Sequence, residues 1–163
     1  MSISLGTQNK TSMSPPKPRF SRRHLPHRLR RLIKTWTVEG RFVGGTEVQY
    51  ARGTAIFRWL VEDALVVVRT CMTVAPESTA VVGADDTHNA FTMLYSDERG
   101  VVRRYEMTLT AHRWTLRRRA PEFSQRFIGR LAANGRSIRA TWEKSADGRR
   151  WLRDFYLTYT KRS

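Results

Sequence analysis

A chain of 163 residues with 40% apolar content holds one domain's worth of core-forming material, and no stretch approaches the ~18 consecutive apolar residues of a membrane-spanning helix. Its one cysteine, Cys71, excludes an intramolecular disulfide framework and points to a reducing, cytoplasmic setting. The formal net charge is +16, but nine of the 30 basic side chains and none of the 14 acidic ones fall in residues 1–34, leaving 21 against 14, net +7, for the remainder.

Residues 1–27 are rich in Ser, Pro, Lys and Arg and poor in aromatics. Such a segment lacks the apolar content to offset the entropy of ordering, so it reads as a disordered basic tail ahead of one folded domain over residues 28–163. No continuous apolar core follows its charges, as a secretory signal would require, and Met13 offers a second start. The tail suits sequence-blind attraction to nucleic acid or an anionic membrane; the simpler reading is a solvated segment. Leu25, Leu29, Leu32 and Ile33 then recur at three- and four-residue steps, predicting a short amphipathic helix that plugs one end of the body.

From Thr35 the apolar period becomes two. Trp36, Val38 and Phe42 alternate with Thr37, Glu39 and Arg41 until Gly44-Gly45, and a second strand from about Gln49 to Leu60 carries Ala55, Phe57 and Trp59 on one face. Leu65 to Val74 is nearly all apolar, as in a strand covered on both faces, with Cys71 a buried or half-buried hydrophobe. Further strands are expected at Ala80–Gly83, Ala90–Tyr95, Val101–Leu109, Arg113–Arg119 and Ser124–Leu131. The strongest local signal comes last. Asp147-Gly148 separates two aromatic-rich runs, one with Ile138, Ala140 and Trp142 and one with Trp151, Phe155, Leu157 and Tyr159 on a face, which is the pattern of a β-hairpin. About ten short strands joined by tight polar turns predict an all-β, antiparallel up-and-down barrel, since closure removes exposed edges; a two-sheet sandwich is the alternative.

Ile33-Lys34-Thr35-Trp36 resembles the Gly-x-Trp signature of lipocalins and other calycins, with Lys34 at the Gly position. The resemblance implies that Trp36 closes the barrel floor under a basic side chain from the end of the domain, Lys161 or Arg162. FRWL (57–60), LVVVR (65–69), YSDERGV (95–101), QRFIG (125–129) and WEKSADG (142–148) resemble a family of uncharacterised bacterial, largely actinobacterial, lipocalin-like proteins, over about Leu29 to Arg162. It implies a calycin barrel and assigns no activity.

Candidate functional residues are polar groups embedded on apolar faces. Arg103 alternates with Tyr105, Met107 and Leu109; Gln125 with Phe127; Arg69 with Leu65 and Val67; Arg118 with Trp114 and Leu116. If these faces point inward, Arg69, Arg103, Tyr105, Arg118, Gln125 and Phe127 line a cavity for a small apolar or amphipathic ligand with an anionic head, because a guanidinium recognises a carboxylate bidentately. Otherwise the arginines pair with Glu106, Glu143 or Asp154, or reach out to water. Glu143 and Asp154, on the two hairpin arms among basic neighbours, read as a surface ion-pair ladder. No cofactor or metal is expected. Asp85-Asp86-Thr87-His88 reads as a turn, and His112 is the one histidine of the body flanked by strands, the position a haem ligand would need. No Gly-x-Ser-x-Gly elbow, phosphate loop or His-Glu-x-x-His run occurs, so the enzyme alternative is a barrel cyclase or isomerase acting on a hydrophobic substrate.

Overall fold

The computed structural model describes residues 25–44, 47–84 and 90–163. The basic tail up to residue 24, residues 45–46 and the stretch 85–89 with Asp85-Asp86-Thr87-His88 lie outside the described residues. A one-turn helix, α1 (Leu25–Leu29), precedes ten strands: β1 (Lys34–Gly44), β2 (Glu47–Val61), β3 (Leu65–Met72), β4 (Ser78–Ala84), β5 (Phe91–Asp97), β6 (Val102–Leu109), β7 (Arg113–Arg118), β8 (Ser124–Leu131), β9 (Ser137–Ser145) and β10 (Leu152–Lys161). Each strand pairs antiparallel with its chain neighbours, and β10 returns to β1, so the sheet closes as an up-and-down barrel. The closing register sets Trp36 opposite Lys161 and Phe42 opposite Phe155.

The two-residue period decides the inside. Trp36 and Val38, Ala55 and Phe57, Val66 and Val68, Tyr105, Met107 and Leu109, Trp114 and Leu116, and Leu157 and Tyr159 form one buried cluster. A fully buried large side chain such as Phe127 contributes about 1.5–3 kcal/mol relative to its exposed form. The outward face carries exposed Arg104, Glu106, Arg117, Arg130 and Arg139. An apolar interior beneath a charged exterior inverts the arrangement of a membrane barrel.

Two expectations change. The outer face of β3 is not covered: Val67 is half-buried, and Arg69 and Cys71 are exposed. The apolar run there comes from β-branched residues on both faces of a strand with only one face inside. Trp151 leaves the inward set because a bulge between Arg153 and Phe155 breaks the alternation, and its ring lies outside under the Arg126 guanidinium at 4.3 Å. The barrel also admits close contact where side chains are missing: a Cβ at Gly53 would collide with the carbonyl of Cys71. Gly148, at φ 70°, turns the final hairpin as Asp147-Gly148 required.

One end is shut. Leu29 and Leu32 are buried beneath the strands, Trp36 is 1% exposed, and its indole N–H donates to the Leu32 carbonyl at 2.8 Å. Lys161 Nζ stands 5.4 Å from the Trp36 ring centroid, so Lys161 is the basic cover. Arg162 instead ties the strand end to β1, its Nε donating to Thr37 Oγ1 at 3.2 Å and its backbone N–H to the Thr35 carbonyl. Arg28 and Arg31 donate to the Leu109 and Ala111 carbonyls and hold the α1 segment across the floor.

Candidate functional site

The opposite end opens into a cavity of about 350 Å³ within the barrel. Its deep wall is Phe57, Val68, Met93, Trp114, Leu116, Phe127, Leu157 and Tyr159; nearer the mouth come Phe42, Tyr95, Arg99, Arg103, Tyr105, Phe123, Gln125, Trp142, Asp154 and Phe155. Neighbouring rings run without a break around much of that wall. Tyr95 meets Tyr105 edge-on at 6.4 Å, Tyr105 meets Trp142 at 5.6 Å, Trp142 meets Phe155 at 6.0 Å, and Phe155 stacks on Phe42 at 4.7 Å. An aromatic cavity of this size with a few convergent polar groups has the character of a small-molecule site.

Two polar clusters sit at the mouth. Gln125, 6% exposed, accepts through Oε1 from the Tyr105 hydroxyl at 2.7 Å and from Arg103 Nη1 at 3.0 Å. Strand register makes this possible: the inward residues of β6 put Arg103 and Tyr105 on the wall that β7 joins to β8, where Gln125 lies opposite Arg118. Arg103 also stands over the Phe123 ring at 4.9 Å, and Arg118 Nη1 donates to the Phe123 carbonyl at 2.6 Å, so the β7–β8 connection is fastened over the rim. The second cluster follows the alternation of β5 into its turn. Asp97 accepts from Arg99 Nη2 at 2.7 Å, from the Arg99 backbone N–H at 3.1 Å and from the Tyr95 hydroxyl at 2.9 Å.

These contacts displace the titratable groups in definite directions. The Arg99 side chain, with further help from the Tyr95 hydroxyl, holds the Asp97 carboxyl well below the usual carboxylate range against the opposing effect of burial. Burial, then the bond to Asp97, pushes Tyr95 up to about 12. Burial likewise raises Tyr105 and Tyr159. The mouth therefore presents two carboxylates, Asp97 paired with Arg99 and Asp154 paired with Lys144, beside O–H and N–H donors from Tyr95, Tyr105 and Arg103.

Of the six lining residues expected from sequence, Arg103, Tyr105, Gln125 and Phe127 are on the cavity wall, and Arg118 is half-buried beside it, bonded to the rim. Arg69 is not. It is exposed on the outer face of β3, because Val66, Val68, Thr70 and Met72 take the inward phase. Glu143 and Asp154 do not meet each other: Glu143 pairs with Arg126 and Arg153, and Asp154 with Lys144 at 2.8 Å, while Asp154 reaches the cavity rim because it is the bulged residue. His112 is exposed in the turn at the shut end, away from the cavity. Among the described residues, no group of three or more His, Cys, Asp or Glu side chains could hold a metal ion, and no helix is long and apolar enough to cross a membrane.

Sequence reading missed the Tyr95-Asp97-Arg99 cluster, although alternate polar residues leading into Gly100 were its signal. It also named Trp114 only as an apolar neighbour of Arg118. Among the described residues, the Trp114 indole N–H is the buried side-chain polar atom without a hydrogen-bond partner.

No protein-family model matches the chain, and no curated protein does. Among solved structures, the chain is similar to Rv2717c from M. tuberculosis, with a TM-score of 0.66 and 12% identity over 86% of this chain and 98% of that one. At that identity the likeness is one of fold: a ten-strand antiparallel β-barrel.

Proposed function

We propose that the protein is a lipocalin-like binder of a small apolar or amphipathic ligand with an anionic head. The observation that supports this most directly is the mouth of the cavity, where Arg103, Tyr105 and Gln125 converge above an aromatic wall. An arginine half out of water beside a ring-lined chamber suits a carboxylate whose apolar body lies deeper. The resemblance of FRWL, WEKSADG and their companion motifs to lipocalin-like proteins is in keeping with this reading, and a single exposed thiol suits a reducing compartment. A barrel enzyme is the competing idea. The hydroxyls of Tyr95 and Tyr105 are already committed as donors to Asp97 and Gln125, which favours the binder.

Native mass spectrometry of freshly purified protein, followed by titration with fatty-acid and retinoid-like probes under tryptophan fluorescence, tests the proposal. A bound small molecule, or saturable quenching from Trp114 and Trp142, is expected; a barrel that is always empty and ignores every probe sinks it.

The outer wall supports a second reading, association with a nucleic-acid backbone. Arg113 lies opposite Arg130, and Arg130 opposite Arg139, so three exposed guanidinium groups stand in one row across β7, β8 and β9. Like charges directly opposite are unfavourable alone and are relieved by a polyanion. A salt-sensitive affinity for single-stranded oligonucleotide that Arg130→Glu reduces is the expected result; affinity for anionic vesicles alone, or none, rejects it.

A further inference from the structure

The cavity has two polar ends, and the protein itself completes only the outer one. At the mouth, Gln125 satisfies Arg103 and Tyr105, and Asp97 satisfies Tyr95 and Arg99. On the deep wall the Trp114 indole N–H stands without a partner, and the Tyr159 ring packs beside it. Trp114 is 4% exposed, and its N–H meets no acceptor among the described residues. Tyr159 is 8% exposed, and its ring centroid lies 6.0 Å from that of Trp114. Both side chains line the cavity. The remaining neighbours of Trp114 are rings, Phe127 at 4.6 Å and Phe57 at 5.9 Å between centroids, and neither offers an oxygen. Leaving a buried donor unmade costs about 1–3 kcal/mol, so native structures pair such groups with protein, water or a ligand.

We propose that the ligand carries, besides its acidic head, an acceptor oxygen at its buried end, held between the Trp114 N–H and the Tyr159 O–H. The class implied is an oxygenated carboxylic acid, such as a medium-chain oxo acid, in preference to a plain fatty acid. This rests on the ligand-binding reading above and specifies it. One chain can join the two ends: Leu109 pairs with Trp114, and Tyr105 of the mouth cluster lies four residues from Leu109 along β6, which at about 3.3 Å per residue is ~13 Å. The deep site is also buried and aromatic, where a hydrogen bond to an otherwise stranded donor counts for more than it does in water.

Calorimetric titration of the full chain with decanoic acid and with its methyl-ketone analogue, the oxo group on the penultimate carbon, tests this. The expected result is a preference of about ten-fold for the oxo acid, the size of one such hydrogen bond, with Trp114→Phe and Tyr159→Phe each narrowing the ratio of the two affinities. Equal affinity of the wild-type protein for the two acids overturns the buried acceptor site and leaves the binder reading standing. A preference that survives both substitutions places the acceptor elsewhere and equally overturns it. Binding of neither acid removes both readings. Should a variant fail to fold by circular dichroism, the wild-type comparison of the two acids decides alone.

Discussion

Trp36 and Trp114 are both buried inside one barrel, yet their surroundings differ in kind. Trp36 sits at the shut end, donates to the Leu32 carbonyl at 2.8 Å and lies beneath Lys161. Trp114 sits at the cavity, among rings, with no acceptor for its N–H among the described residues. The chain thus finishes its own hydrogen bonding at the floor and leaves it unfinished above.

The largest effect should come from breaking the complete end. Trp36→Ala removes a fully buried indole and the bond that anchors Leu32, and a loss of about 3–5 kcal/mol is expected in urea unfolding followed by circular dichroism. A loss under about 1 kcal/mol would mean that the floor is not what holds the barrel shut. Next comes the mouth. Gln125→Ala strands the buried Tyr105 hydroxyl, with an expected loss of about 1–3 kcal/mol and weaker binding of any acidic probe. Unchanged stability would show that the cluster is not built as a unit.

A third prediction concerns pH. The Asp97 carboxyl is held below its ordinary value, so its contribution is present above the unfolded pKa of about 3.9 and is lost as the pH falls further. Urea midpoints of the wild type should therefore drop on acidification below about pH 4, and those of Asp97→Asn should drop less. In the same variant, the absorbance titration of Tyr95 should move down from about 12, because the neighbouring negative charge is gone. Identical acid profiles for the two proteins would contradict the assignment. The smallest effect belongs to Arg69→Ala, within about 0.5 kcal/mol and without change in probe affinity, since the side chain lies outside the cavity. Any marked loss of probe binding there would bring Arg69 back into the site.

Much of the fold was legible because a two-residue period and a turn residue such as Gly148 act locally. The ten strands follow from such signals, closure of β10 on β1 from the cost of exposed edges, and the floor under Trp36 was what the resemblance implied. Phase was less legible. In β3 the apolar residues occupy both faces, so nothing in LVVVRTCM marks Val66 and Val68, instead of Val67 and Arg69, as inward. Trp151 was misplaced by a bulge whose extra residue, Asp154, carries no sequence mark. Arg103, Tyr105 and Gln125 were found because polar groups on apolar faces stand out. The unpaired N–H of Trp114 was not, because a satisfied and an orphaned indole are the same letter.

The seam between β1 and β10 sets the order of events during synthesis. Every other strand pairing joins neighbours in the chain, so the meander from β1 to β9 can assemble as it leaves the ribosome. The seam joins residues as far apart as Thr37 and Arg162, 125 positions along the chain, and it carries the long loop-closure cost that slows β-barrel folding. Until Lys161 and Arg162 have been translated, the nascent sheet has two raw edges and no roof over Trp36, and that interval is when the growing chain is most exposed to association with its own copies.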